Sequence, residues 1–395
     1  MYYCEFQCLY VKNNHQLKIK GRDMMNIPMI NLKAQYRKTK KDIMKNLTEI
    51  LSEQRLILGK YCRLLEESIS AYVGVPEAIS CANGTDALIL SLMALGIKEG
   101  DEVITTPYTF FATASSIALV GGRPVFVDVK EKDLNIDPEL ISRAITKKTK
   151  AIIIVHLFGR LCDMDEILKI SKAHNIPVVE DMAQALGSGN ANGKAGSFGD
   201  IAALSFYPTK NLGGIGEGGM VLTKRHDLGK KVRKLRVHGM GDTTYHHEMI
   251  GMNSRLDEIK AAALVAKFPF LEEWNRKRID NAIFYNTNLK DLPLILPEIP
   301  DDGSHIFHHY VVRTEKRDGL QSFLKEKGIQ TGIYYPIPLH LQECFRYLGY
   351  RDGSFPISER AAKESLAIPV YPELKKTEKD YIVRMIRGYF KEHGL

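Results

Sequence analysis

Residues 176–219 read IPVVEDMAQALGSGNANGKAGSFGDIAALSFYPTKNLGGIGEGG, and the fold is decided here. A short apolar run at 176–179 ends in the acid pair Glu180-Asp181. A second run at 201–206 ends in a polar turn that carries a single lysine, Lys210, followed at once by a run of glycines. Short β-branched runs bounded by turn residues are predicted to be buried strands. Asp181 and Lys210 then lie just past the carboxyl ends of two strands, where open α/β sheets bind ligands.

A carboxylate on one strand and a lysine on another suit pyridoxal phosphate, with the lysine as Schiff-base partner and the Asp on the pyridinium nitrogen. A solvated loop lysine and a helix-capping Asp would have the same spacing. The pair alone leaves both readings open.

The surrounding chain extends the pattern. The stretch 35–72 is predicted to be helical, with Ile43, Leu47, Ile50 and Leu51 on one face. AISCANGTDALILSLMALG reads strand, turn, helix, with Asn83-Gly84 at the turn and a helix opening at Thr85 and Asp86. A helix N-terminus offers free N–H groups to a phosphate. DEVITT (101–106), PVFVDV (124–129) and AIIIVHLFG (151–159) are further strands, and their alternation with helical stretches predicts a mostly parallel sheet. Tyr108, Phe110 and Phe111 follow one strand end, as core residues or as a surface for a planar ligand. His156 is read as a hydrogen-bonded structural histidine. MVLTK (220–224) is a short strand, and 251–289 contains a long amphipathic helix interrupted near Pro269. Beyond about 290, shorter runs predict a smaller α+β domain ending in a helix from Glu378.

Composition sets outer bounds. With 395 residues, 44% apolar and 26% charged, the chain is ordinary for a globular protein. No apolar run approaches the roughly 18 residues of a membrane helix. The six cysteines (Cys4, Cys8, Cys62, Cys81, Cys162 and Cys344) follow no metal spacing and are expected as reduced thiols of a cytoplasmic protein. No metal site is expected. The formal charge of +8 includes a cluster at 224–236, KRHDLGKKVRKLR, which fits a solvated helix face, an anionic ligand or nucleic acid. Residues 1–25 show no usable period and are expected to be a disordered leader, with Met24 or Met25 as a candidate initiator.

In order along the chain, these pieces resemble the DegT/StrS family of nucleotide-sugar aminotransferases, pyridoxal-phosphate enzymes of the aspartate aminotransferase fold. The resemblance covers about residues 26–395. It is carried by NGTDAL (83–88), TPYTFFAT (106–113), EDMAQALG (180–187), SFYPTKNLG (205–213), GMNSRLDEIKAA (251–262), YYPIPLHLQ (334–342) and LAIPVYPEL (366–374). It implies an α/β fold with a large cofactor-binding domain, 26–270, and a smaller C-terminal α+β domain, 271–395. It implies Lys210 as Schiff-base lysine and general base, Asp181 on the ring nitrogen, Phe110 and Ala183 on the two ring faces, and Gln184 at the ring hydroxyl. Gly84, Thr85 and Ser205 would surround the phosphate, with Asn253 supplied by the partner of a homodimer. Tyr207 and His340 are expected as substrate contacts.

The implied reaction moves an amino group from an amino acid, L-glutamate by family habit, to a keto sugar on a nucleotide diphosphate. The spelling around Lys210 most resembles members that aminate carbon 3 of a dTDP-linked 3-keto-6-deoxyhexose; amination at carbon 4 is the alternative. Relatives that dehydrate sugars carry His in place of the lysine, which Lys210 argues against. A regulatory DNA-binding protein is the reading from a different class, with the basic cluster as its only support. No nucleic-acid or membrane partner is expected. Met182 stands where Ala is commoner in the family and is read as a packing change.

Overall fold

A computed structural model describes residues 25–394. The expectations for the leader fall on residues 1–24 and lie outside the described residues. The central sheet is built from β1 (Glu77–Cys81), β2 (Glu102–Thr105), β3 (Arg123–Phe126), β4 (Thr149–Val155), β5 (Val178–Asp181), β8 (Ile201–Ser205) and β9 (Gly219–Thr223). A small hairpin of β6 (Gly189–Asn190) and β7 (Gly193–Lys194) interrupts the series. The spatial order is β1-β9-β8-β5-β4-β2-β3. Neighbours from β3 to β8 pair in parallel, and β9 runs against both β8 and β1.

Strand residues alternate between two cores, as a period of two requires. Ile104, Ile152, Ile154, Val178 and Leu204 face the helices Lys60–Val73, Met164–His174 and Glu258–Lys267. Val103, Ile153, Val179, Ile201 and Val221 face the helices Gly84–Leu95 and His226–Leu235. Both faces are covered, which is why these strands read as nearly continuous apolar runs. Because the parallel strands run one way, the ends of β1, β2, β4, β5 and β8 open onto a common edge.

The predicted helix over 35–72 is two helices, Leu32–Glu53 and Lys60–Val73. The break has a distant cause. The buried Glu258 carboxylate accepts the N–H groups of Gly59 (2.7 Å), Tyr61 (2.8 Å) and Cys62 (2.9 Å), capping the second helix from another part of the chain. The interruption near Pro269 is a 3-10 turn, Phe268–Phe270, between the helices Glu258–Lys267 and Leu271–Leu289. Proline removes a helical N–H donor there.

C-terminal to this, β10 (Tyr310–Arg313) and β11 (Ser365–Ile368) pair antiparallel beneath the helix Lys376–Glu392. Ile27, grouped by sequence with the large domain, is instead fully buried in this C-terminal core. Its N–H donates to the Gly328 carbonyl (2.8 Å), and its own carbonyl accepts from Gln330 (2.9 Å).

Two buried side chains bolt the C-terminal part to the sheet edge. The Tyr108 hydroxyl meets the Tyr334 carbonyl (2.7 Å) and Ser365 Oγ (3.0 Å). The Asp128 carboxylate accepts the N–H groups of Ile357 (2.9 Å) and Ser358 (3.0 Å) and the Ser358 hydroxyl (2.5 Å), capping the helix Pro356–Glu364. Among the described residues, no helix is long and apolar enough to cross a membrane.

Candidate active site

The acid pair divides between the two faces of β5. Glu180 is fully buried. It accepts from the N–H groups of Gly196 (2.7 Å), Phe198 (2.8 Å) and Gly199 (2.6 Å) and from His156 Nε2 (2.9 Å). Burial opposes its charge, but these donors prevail and hold the carboxyl below its usual range. His156 is thus the satisfied histidine the sequence predicts. Met182 is fully buried, with its sulfur against Gly196.

Asp181 closes β5 and faces the site. Thr113 Oγ1 donates to its Oδ2 (2.8 Å), and the Ala183 N–H donates to its Oδ1 (3.2 Å). Burial raises the Asp181 pKa, while those donors and the charge of Lys210 oppose the rise. Lys210 occupies the turn after β8, where its N–H donates to the Tyr207 carbonyl (2.8 Å). Burial lowers the lysine pKa to about 8, with Asp181 acting the other way. The site therefore holds an amine that loses its proton readily and a carboxylate oriented by two donors.

At the far end, the helix Gly84–Leu95 begins beside β8. Asn83 caps it by accepting from the Asp86 N–H (2.8 Å), which leaves the N–H groups of Gly84 and Thr85 for a ligand. The approach is tight. A Cβ on Gly84 would lie 2.7 Å from Ser205 Cβ, and one on Gly219 would lie 2.2 Å from the Asn83 carbonyl oxygen. Only glycine lets these backbones and Ser205 converge into a cradle. Ser254 supports it, accepting from the Ala82 N–H (3.1 Å) and donating to Asp86 (2.6 Å).

Phe110 and Tyr207 are exposed, and Ala183 is partly buried. Tyr335, which the sequence reading did not single out, lies 6.1 Å ring to ring from Phe110. Gln184 already holds two partners within the chain. Its Oε1 accepts the Phe158 N–H (2.6 Å) and its Nε2 donates to the Tyr335 hydroxyl (3.0 Å), leaving one amide N–H for a ligand. Asn253 is exposed.

His340 is a correction. It is buried, its Nε2 is joined to Glu359 (3.0 Å) and its ring packs on Phe355. It lies in the 3-10 turn Leu339–Leu341, and its burial leaves no exposed edge for a substrate. Thr113, His308 and His309 were missed. Burial holds both histidines well below their usual pKa, and the charge of Lys210 acts in the same direction.

The basic cluster at 224–236 is largely neutralised. Arg225 pairs with Asp227, Arg233 with Glu77, Lys234 with Glu248 and Arg236 with Glu66. Lys231 donates to the Ala94 carbonyl. Among the described residues, no cluster of His, Cys, Asp and Glu is placed to hold a metal.

A phosphate cradle at a helix N-terminus, a lysine of lowered pKa and a buried carboxylate meet the needs of pyridoxal phosphate. Comparison with known proteins agrees. The profile of the DegT/DnrJ/EryC1/StrS aminotransferase family matches residues 37–387. A pleiotropic regulatory protein of Geobacillus stearothermophilus is 48% identical, over 93% of this chain and 99% of that protein. The UDP-N-acetyl-3-dehydro-alpha-D-glucosamine 3-aminotransferase of Acidithiobacillus ferrooxidans is 42% identical, over 91% and 97%. The crystal structure of S. venezuelae DesV in complex with a ketimine intermediate superposes with a TM-score of 0.89 at 36% identity, covering 92% of this chain and 98% of that one. The chain belongs to the DegT/DnrJ/EryC1/StrS aminotransferase family, whose members use pyridoxal phosphate.

Proposed function

We propose that this chain transfers an amino group from an amino acid, L-glutamate first, to carbon 3 of a keto sugar linked to a nucleotide diphosphate. The reading is carried by one arrangement: the Lys210 amine and the Asp181 carboxylate at the ends of β8 and β5, beside a phosphate cradle at Gly84. Bound pyridoxal phosphate supplies an electron sink for the bond being broken at the amino-bearing carbon. The protein's own groups do the rest. Lys210 Nζ would hold the cofactor, and as a free amine it would move the proton at the amino-bearing carbon. Its lowered pKa keeps a useful fraction of free amine near neutrality. Asp181, steadied by Thr113, would hold the ring nitrogen in its charged form. The N–H groups of Gly84 and Thr85, with the Ser205 hydroxyl, bind the phosphate. Phe110 and Ala183 would hold the ring faces, and the remaining Gln184 N–H would be offered to the ring hydroxyl. Tyr207 lines the sugar side.

Asn253 is exposed, which suits service to a partner's phosphate in a homodimer. The carbon-3 assignment is supported by the spelling around Lys210 and by the 42% identical relative, whose name places its chemistry at carbon 3. That relative acts on a UDP sugar, so UDP-linked 3-keto sugars stand beside dTDP-linked 3-keto-6-deoxyhexoses as acceptors. The regulatory reading shares its wording with the 48% identical relative. Its physical basis, the cluster at 224–236, is mostly bound up in ion pairs.

The test offers 3-keto and 4-keto sugars on dTDP and UDP, with glutamate, and locates the product nitrogen by NMR. Turnover of 3-keto compounds supports the reading; turnover of 4-keto compounds alone overturns the carbon assignment. Mixing Lys210→Ala with Asn253→Ala chains tests the shared site. Recovery of activity after subunit exchange is expected, and no recovery despite exchange counts against it.

A further inference from the structure

Behind the Lys210 turn runs a buried chain of polar side chains that ends on a backbone carbonyl. Asn275 lies on the helix Leu271–Leu289, and its Nδ2 donates to the Leu186 carbonyl (3.0 Å). Its Oδ1 accepts from Asn211 Nδ2 (2.7 Å). Asn211 follows Lys210 directly, and its Oδ1 lies 3.0 Å from His308 Nδ1. Asn211, Asn275 and His308 are each at most 4% exposed. The chain leaves no room for substitution at its origin: a Cβ on Gly187 would lie 2.4 Å from Asn275 Nδ2.

The polarity of this chain is determined by its fixed end. A backbone carbonyl only accepts, so the Leu186 carbonyl requires the NH2 of Asn275 to face it. The Asn275 oxygen then faces Asn211 and requires the NH2 of Asn211. The Asn211 oxygen in turn faces His308 and requires a proton on Nδ1. Turning any amide around would set two acceptors or two donors against each other in a buried place, which costs more than the bond is worth.

We infer that Asn275 is a positioning residue that, through Asn211, aligns the Lys210 turn with the segment following Asp181 and fixes the His308 proton on Nδ1. The same helix grips His308 a second time. Arg278, one turn further on, donates from Nη1 to the His308 carbonyl (3.2 Å) and to that of Phe307 (3.4 Å). Lys267, on the preceding helix, donates to the Gly213 carbonyl (2.6 Å) at the other end of the Lys210 turn. A second proton on His308 is opposed by burial first, then by His309, Lys210 and Arg278, the charged and titratable groups that act on it. With Nδ1 protonated and the ring neutral, Nε2 carries a bare lone pair. It can accept from an amine or hydroxyl but cannot donate to one.

The inferred role of Asn275 in aligning Lys210 rests on the proposed role of that lysine; the tautomer does not. The experiment is therefore double. In the full chain loaded with pyridoxal phosphate and labelled with 15N histidine, two-bond nitrogen–proton correlation reads the His308 tautomer, assigned by loss of its signals in His308→Gln. The expected result is a protonated Nδ1 and an unprotonated Nε2. Asn275→Ala is expected to release the tautomer into a mixture, to shift the pH midpoint of the cofactor's visible band and to lower kcat about ten- to a hundredfold. Asn275→Asp, which keeps the shape but cannot donate to the Leu186 carbonyl, is expected to move the band the same way. A wild-type His308 protonated on Nε2 or on both nitrogens would overturn the inference. So would an Asn275→Ala chain with unchanged tautomer and band. A Lys210→Met chain that still formed the band would instead sink the proposed role of Lys210 and leave the tautomer standing.

Discussion

Removing the Lys210 charge from the cofactor-free protein should stabilise it, by an amount that depends on pH. Burial pulls the amine from its ordinary 10.5 to about 8, so the folded site resists the charged form. That gap corresponds to about 3 kcal/mol, an upper limit because water reaches a half-buried side chain. Lys210→Met keeps the shape and lacks the charge. Below pH 8 the wild type carries the full penalty in its folded state, and the variant should be more stable by up to about 3 kcal/mol. Between pH 8 and 10.5 the unfolded chain holds more protons than the folded one, so wild-type stability rises with pH relative to the variant. The difference should fall to about 2 kcal/mol at pH 9 and below about 1 kcal/mol at pH 10. Urea denaturation of both full chains, stripped of cofactor and at equal concentration, measures it directly. A variant less stable at pH 6, or a difference flat from pH 6 to 10, would refute the claim that this lysine is buried at a cost in charge.

Further outcomes follow from the same geometry. Asp181→Asn should retain the cofactor through its phosphate end yet lose about 10²–10³-fold in kcat, read by steady-state assay beside the visible spectrum. Thr113→Val removes a donor to the ionised carboxylate, which burial already pushes upward, so Asp181 should hold its proton to still higher pH. The acid limb of the pH–rate profile should then move up, and an unmoved limb would show that Thr113 does not act through Asp181. Arg236→Ala leaves Glu66 with only the more exposed Arg233 as a cationic partner, and unfolding should show a loss of about 2 kcal/mol that added salt does not reproduce in the wild type.

The legible parts of this molecule are those set by local spacing. The runs at 176–179 and 201–206 became β5 and β8, and NGTDAL became a capped helix start, because alternation, β-branching and a cap residue act within a few positions. What stayed hidden depends on partners far along the chain. Thr113 meets an acid 68 residues on, Asn275 an amide 64 residues back and Glu258 a helix start 197 residues back from it. A threonine in TPYTFFAT carries no sign of which carboxylate its hydroxyl will find. His340 misled for a related reason: its motif matched the family, but Glu359 and Phe355, which turn its ring inward, belong to another segment.

The bolts at Tyr108 and Asp128 bear on how substrate enters. A cleft that closes like a jaw needs a seam that slides or hinges, with few bonds to break. Here the seam carries a buried carboxylate with three donors and a buried phenol bonded to the Tyr334 carbonyl and the Ser365 hydroxyl. Prising it apart would strand those groups without partners, at several kcal/mol. Such a seam predicts a preformed slot, with sugars selected by fit to a rigid wall. Empty and substrate-loaded crystals should then superpose across this seam to within about 1 Å, and entry should be timed by diffusion and side-chain turnover at Phe110 and Tyr207.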